Sequence, residues 1–261
     1  MRRLALVGVL AVALIAVGIA GASTPGADVR LTNDNSQYVS AYTLATGIPY
    51  TDQTLQECSI SRGRENEPSV QLDPRDTSVL LGSSNDYCGV YNRGAAAGAV
   101  GPIWLGYYRS TNGGSTFTSS LVPGYPDDIS PYAALSKART ASAGDPVIAW
   151  DAHGRAFFGS ESSDDPAGTK KTFGDVWVAR FRNPQGEAGP TSRDGLEYYG
   201  TTVVAKGSSA PNLFGKFNDK TAIEADRTGT VCAGTSTSRI PASTGTSAAS
   251  ASTSHARPTM A

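Results

Sequence analysis

Glu67-Pro68-Ser69-Val70-Gln71-Leu72-Asp73, Asp145-Pro146-Val147-Ile148-Ala149-Trp150-Asp151 and Lys220-Thr221-Ala222-Ile223-Glu224-Ala225-Asp226 are three versions of one segment. Their closing aspartates stand 78 and then 75 residues apart. A spacing held over three copies marks a structural repeat and is weighed before any local motif. Each copy reads as a short strand that ends at an Asp-led turn. Asp151-Ala152-His153-Gly154 and Asp226-Arg227-Thr228-Gly229 share the form D-x-x-G. The Asp carboxylate can bond the backbone of the turn, and the Gly can take the positive φ of a short hairpin loop.

The chain then returns as a second strand. Arg155-Ala156-Phe157-Phe158-Gly159 aligns with Ser78-Val79-Leu80-Leu81-Gly82. A third pair follows, Ile103-Trp104-Leu105-Gly106-Tyr107-Tyr108-Arg109 with Val176-Trp177-Val178-Ala179-Arg180-Phe181-Arg182. Both alternate in the manner of strands. Fourth strands are expected near 115–122 and 200–205. The segments 87–101 and 162–173 are rich in Gly, Ala, Asp and Ser and read as loops between second and third strands. A short helix is expected within 132–140, and a strand near 38–43. Four antiparallel strands per repeat make a propeller blade. The fold expected is all-β, an incomplete propeller of about two and a half blades. A β-sandwich built from the same hairpins is the second architecture.

After Arg109 comes Ser110-Thr111-Asn112-Gly113-Gly114-Ser115-Thr116-Phe117. This resembles the Asp-box (BNR repeat) of the sialidase, or neuraminidase, superfamily, written S-x-D-x-G-x-T-W. Asn112 stands for the Asp and Phe117 for the Trp. Ser110 and Asn112 can bond backbone groups of a tight turn, Gly114 can take a backbone angle barred to other residues, and Phe117 can pack between strands; Thr116 completes the motif. In that family the motif joins the third and fourth strands of a blade, which is its place here. The second repeat offers only Asn183-Pro184-Gln185-Gly186. The resemblance spans about residues 58–231 and implies a sialidase-like propeller. The motif is structural in the family, so it speaks for fold and not for chemistry.

The resemblance also implies what an active member would carry. Three arginines would clamp a substrate carboxylate, a tyrosine activated by a glutamate would be the nucleophile, and an aspartate would be the acid/base. The first arginine sits in an R-I-P-type motif ahead of the early blades. Here Arg239-Ile240-Pro241 falls in the tail instead. Arg64, or its neighbour Arg62, is the substitute candidate. Glu67, Asp145 and Asp219 recur at the starts of the inner strands, where a propeller could aim them at its channel. Turn and strand-edge capping is the competing role for all three. The tyrosine would fall in later blades. The function implied is an exo-α-sialidase-like glycoside hydrolase, inactive as written if these parts are missing. The alternative is a non-catalytic propeller that binds glycan or protein.

The rest of the chain sets bounds. Met1-Arg2-Arg3 precedes an apolar run from Leu4 to Ala20, and Ala20-Gly21-Ala22 offers small residues for cleavage. This is the pattern of a secretory signal, so residues 1–22 are expected to be removed and the product secreted, with no membrane attachment afterwards. Residues 23–57 read as a polar lead-in, 58–235 as the partial propeller and 236–261 as a Ser/Thr/Ala-rich tail. A net charge of −1 gives no basic field for nucleic acid. A glycan or glycoconjugate is the expected partner, and a second copy or further blades would be needed to cover the open sheet. No Zn or EF-hand spacing occurs, so no metal or cofactor is expected. Two histidines, His153 and His255, allow no Ser-His-Asp arrangement. Of three cysteines, Cys58 and Cys88 flank the first repeat and are expected to pair in an oxidising compartment, which leaves Cys232 over. After Val231 the strand pattern stops inside what should be a strand. A shifted or truncated reading frame and a low-complexity stalk both fit that break, which favours the first.

Overall fold

The computed structural model describes residues 28–29, 31, 37–60, 65–88, 103–138, 142–163, 173–207, 218–228, 236–240 and 249–252. The leader, Arg62, Arg64, Cys232, His255 and most of both long loops lie outside the described residues. The described chain is mostly antiparallel β-sheet. The first sheet runs in sequence order through β1 (Glu65–Leu72), β2 (Leu80–Asp86), β3 (Trp104–Ser110) and β4 (Thr118–Leu121). The second repeats that meander with β5 (Ser142–Trp150), β6 (Ala156–Ser163), β7 (Phe173–Arg182) and β8 (Glu197–Ala205). A third sheet begins with β9 (Ala222–Ala225), which pairs with β10 (Ser236–Ile240), and β10 pairs with β11 (Ala249–Ser252).

The middle sheet decides between propeller and sandwich. Ile148, Trp150, Ala156, Phe158, Trp177, Ala179 and Phe181 pack in one core with Val79, Leu81, Leu105 and Tyr107 of the first sheet. The alternate residues Ala149, Phe157 and Val178 pack with Ala225 and Ile223 of β9. Successive side chains point to opposite faces of a strand, so the second sheet is buried on both faces. Three sheets in a row, each a sequential meander, are the stacking of propeller blades. A two-layer sandwich would leave one face of each sheet to solvent. The described sheets form an open stack.

Between the first two sheets lies an aromatic seam. The rings of Trp104 and Trp177 stack at 6.0 Å, Tyr107 stacks on Phe181 at 4.7 Å, and Phe158 meets both Tyr107 and Phe181. The ladder register corrects the sequence alignment of these strands. Asn85 sits opposite Asn66 and Leu105, while Glu161 sits opposite Gly144 and Val176. Leu105 and Val176 are therefore the corresponding rungs, and the two tryptophans are not. Gly82 faces Val70 and Gly159 faces Val147, so these glycines do not correspond either. One cause is the first hairpin, which closes Asp73 onto Val79, where the second closes Asp151 onto Arg155, two residues fewer. The other is the β2–β3 connection, five residues longer between matched rungs (Asn85 to Leu105 against Glu161 to Val176), which displaces the third strand.

The segment expected as a strand near 38–43 is helical. The α1 helix spans Ala41–Thr46. Ser40 caps it by accepting from Tyr42 N, and Gly47 ends it at φ 75°. These are ordinary start and stop signals, here in a segment too short to show helical periodicity. The α2 helix, Gln53–Ile60, was not foreseen; Asp52 caps it by accepting from Leu55 N at 2.9 Å. Cys58 on α2 is joined to Cys88 in a disulfide, with Cα atoms 4.7 Å apart. The helix expected within 132–140 is a single 3-10 turn, Ala133–Leu135. The tail also departs from expectation: 236–240 and 249–252 pair as strands. The exposed ladder of β9 offers backbone donors and acceptors that a Ser/Thr/Ala sequence can satisfy without an apolar pattern.

The turn between β3 and β4 is held by side chains. Ser110 Oγ accepts from Asn112 N and Gly114 N, and it donates to Asn112 Oδ1 at 2.9 Å. Asn112 Oδ1 also accepts from Thr116 N at 3.0 Å, while Asn112 Nδ2 donates to Thr116 Oγ1 at 2.9 Å. Gly114 has φ 85°, the left-handed region that favours glycine. Gly113 N reaches across to Ser78 O and so ties this turn to the β1–β2 hairpin.

Candidate functional site

Among the described residues, four that are not glycine have positive φ. Three of them are Glu67 (53°), Asp145 (50°) and Lys220 (63°). They stand in one column, the first residue of each repeated segment. At the first two positions the ladder shows why. Between Asn66↔Asn85 and Ser69↔Ser83, two residues, Glu67 and Pro68, oppose Ser84 alone. Between Gly144↔Glu161 and Val147↔Gly159, Asp145 and Pro146 oppose Ser160 alone. These are β-bulges. A proline, which has no N–H to give the ladder, is tolerated in a bulge. A left-handed non-glycine residue costs about 1–2 kcal/mol, and such strain persists only where the surroundings hold it in place.

The bulges bring the three side chains together. Lys220 Nζ lies 2.7 Å from Asp145 Oδ2 and 3.7 Å from Glu67 Oε1. The Glu67 and Asp145 carboxyl groups are hydrogen-bonded to each other. Asn85 spans the first two sheets, donating from Nδ2 to Glu67 Oε2 at 3.2 Å and accepting at Oδ1 from Asp145 N at 2.7 Å. Thr221 Oγ1 donates to Asp145 O at 2.9 Å and ties in the third sheet. Gly144 lets Asn85 approach, since a Cβ there would come within 3.1 Å of its Oδ1.

The two carboxyl groups are pushed apart in acidity. The hydrogen bond to Asp145, with burial behind it, raises Glu67 above the usual glutamate range. Burial works to raise Asp145 as well, but the hydrogen bond from Glu67 and the Lys220 ammonium overcome it and hold Asp145 low. Lys220 is in turn raised by its hydrogen bond to Asp145. The contact thus makes Glu67 the weaker acid of the two and Asp145 the stronger.

Of the residues singled out from sequence, Glu67 and Asp145 meet here, while Arg62 and Arg64 lie outside the described residues. Asp219 is close by but does not hold the repeated position, which is taken by Lys220. Asp219, Asp145 and the buried Glu161 each place an oxygen within 4.8 Å of the others. Oxygen-only donors suit a hard cation better than zinc. Lys220, Asn85 and Glu161 were missed. Lys220 was legible in the column Glu67, Asp145, Lys220; Asn85 and Glu161 sit within ordinary strands and carried no signal.

Carboxyl groups in hydrogen-bond contact are closer than the roughly 5–9.5 Å spacings at which glycosidase pairs work. Such a pair can accept and donate hydrogen bonds to hydroxyl groups. Its surroundings are acidic on balance, with Glu67, Asp145, Glu161 and Asp219 against Lys220. A carboxylate clamp needs the opposite sign.

No family model matches the sequence, and no curated protein matches it. One solved structure is similar, a Trypanosoma rangeli sialidase in complex with the inhibitor DANA. The likeness has a TM-score of 0.37 at 11% identity and covers 87% of this chain. The chain spans 35% of that structure. A likeness at this level identifies no family.

Proposed function

We propose that this chain is an exported, sialidase-like propeller protein directed at glycans, and that its described blades bind sugar without cleaving it. One observation carries the reading. The same strained position in three successive inner strands supplies Glu67, Asp145 and Lys220 to one cluster of donors and acceptors. Export is supported by the leader pattern of residues 1–22, and the sialidase-like build by the Ser110–Phe117 motif at the β3–β4 turn. The acidic balance of the cluster favours neutral or amino sugars over sialic acid. Val70 and Leu72 of β1, 41% and 48% exposed, mark the edge that further blades or a second copy would cover.

A second reading, exo-α-sialidase-like hydrolysis, is favoured by the split acidity of Glu67 and Asp145, since acid/base pairs work by holding one carboxyl protonated beside an ionised one. The two readings separate in one experiment. The mature chain, starting at Ser23, is assayed against a fluorogenic sialoside and titrated with neutral, amino and sialylated oligosaccharides. Binding of an uncharged or amino sugar without turnover is expected. Turnover that Glu67→Gln abolishes, in a variant that still melts cooperatively, would establish the hydrolase instead.

A further inference from the structure

We propose that Asp73 and Asp194 form a proton-dependent latch between the first two sheets, closed when the pair holds one proton and loosened when that proton leaves. Asp73 ends the β1–β2 hairpin's first strand, and Asp194 lies in the β7–β8 connection of the neighbouring sheet. Neither residue is exposed to solvent. Their carboxyl groups meet by a side-chain hydrogen bond across the seam.

The remaining oxygens are accounted for. Asp73 Oδ1 accepts from Arg75 N at 2.9 Å. Asp194 Oδ1 accepts from Asn183 Nδ2 at 2.8 Å. That leaves Asp73 Oδ2 and Asp194 Oδ2, both buried and neither accepting a hydrogen bond from an N–H or O–H donor among the described residues. Two acceptors facing each other in the interior are satisfied by one hydrogen between them, and an unmade hydrogen bond there is expensive. Arg75 Nη1 stands 3.3 Å from Asp194 Oδ2, so Asp194 is the better placed of the two to stay ionised and Asp73 to hold the proton.

The arginines around the pair are Arg75 and Arg109, both committed to the same seam, and the His153–Glu187 ion pair lies beside Arg75. Arg75 donates to the carbonyls of His153 and Glu187 at 3.1 and 2.7 Å. Arg109 donates to the carbonyls of Ser192 and Asp194 at 2.7 and 3.1 Å. Asp76, at the other end of the hairpin, accepts from Thr191 Oγ1 at 2.8 Å. Gly195 N donates to Gly154 O, and a Cβ on Gly154 would overlap the Asp194 carboxylate, so glycine is required at that contact. The β7–β8 connection is thus seated on the first sheet around the carboxyl pair, through Arg75, Arg109 and Asp76.

Burial, with the neighbouring Asp194 charge, pushes Asp73 up to about 7, and burial also raises Asp194. For a carboxyl raised on folding the sign is clear. Between the unfolded value near 4 and the folded value near 7, the folded chain binds the extra proton, so stability falls as pH rises through that window. Other buried acids, Asp86 and Asp128, shift in the same direction. The informative quantity is therefore the difference between wild type and variant.

Asp73→Asn is the sharp variant. Its Oδ1 can keep the bond from Arg75 N, and its Nδ2 can supply the missing donor to Asp194 at every pH. Thermal midpoints of the full mature chain are measured from pH 5.5 to 8.5. The wild type is expected to lose roughly 5 °C or more relative to Asp73→Asn across that range, with the variant the more stable at pH 8.5. A constant difference between the two would overturn the proposal. Asp194→Asn serves as the second variant, and a 13C carboxyl titration of Asp73 in it should move down towards the ordinary aspartate range. A titration that does not move would also overturn it.

Discussion

Asp73 and Asp151 close the same hairpin in neighbouring sheets, and both are fully buried. Their carboxylates nevertheless have opposite partners. Asp151 is held by Arg155, whose Nε lies 2.5 Å from Oδ2, and by the backbone N–H groups of His153 and Arg155. Asp73 has the equivalent backbone bond but faces another acid, Asp194. The repeat dictates the turn, through an Asp that bonds its own loop. It leaves the second oxygen to whatever the adjacent connection supplies. The β3–β4 connection is seven residues long and reaches no further than its own sheet, whereas the β7–β8 connection is long enough to reach the first sheet.

The tryptophans give the largest effect by which this comparison can be tested. Trp104 and Trp177 are both buried and stack on each other, but of the two only Trp104 Nε1 finds an acceptor among the described residues, Val122 O at 2.8 Å. Either change to Ala should cost about 3–5 kcal/mol in denaturant unfolding. Changes to Phe should split them, with Trp104→Phe the more damaging because it strands a buried carbonyl. Next is Arg155→Met, expected to cost about 3 kcal/mol at neutral pH by leaving the buried Asp151 charge unpaired. Denaturant unfolding of that variant beside the wild type would show it. Smaller again is Asn112→Ala, about 1–2 kcal/mol, from the loss of a side chain that makes three turn hydrogen bonds. Asn112→Asp should lie within about 0.5 kcal/mol of wild type, since the accepting oxygen is kept. A large penalty there would break the likeness of this turn to the motif it resembles.

The order of strands was legible because period-2 alternation and the D-x-x-G turns recur at a fixed spacing. Register was not, because two extra residues in the first hairpin and five in its β2–β3 connection displace the later strands and leave composition untouched. The α1 and α2 helices were hidden by brevity: a six-residue segment shows caps but no period. In the site, Glu67 and Asp145 were legible as a repeated acid before proline. Lys220 was passed over because its charge broke the pattern, although its position kept it. The Asp73–Asp194 contact joins residues 121 apart in sequence, and no local signal announces it.

The account turns on whether the Glu67–Asp145–Lys220 cluster is where ligand binds. Calorimetric titration of the mature chain with the oligosaccharide it holds best, repeated on Asp145→Asn with melting curves taken alongside, addresses this most directly. The account predicts at least a tenfold loss of affinity with a melting midpoint close to wild type. Unchanged affinity in that variant would contradict it and move the binding surface elsewhere on the sheets.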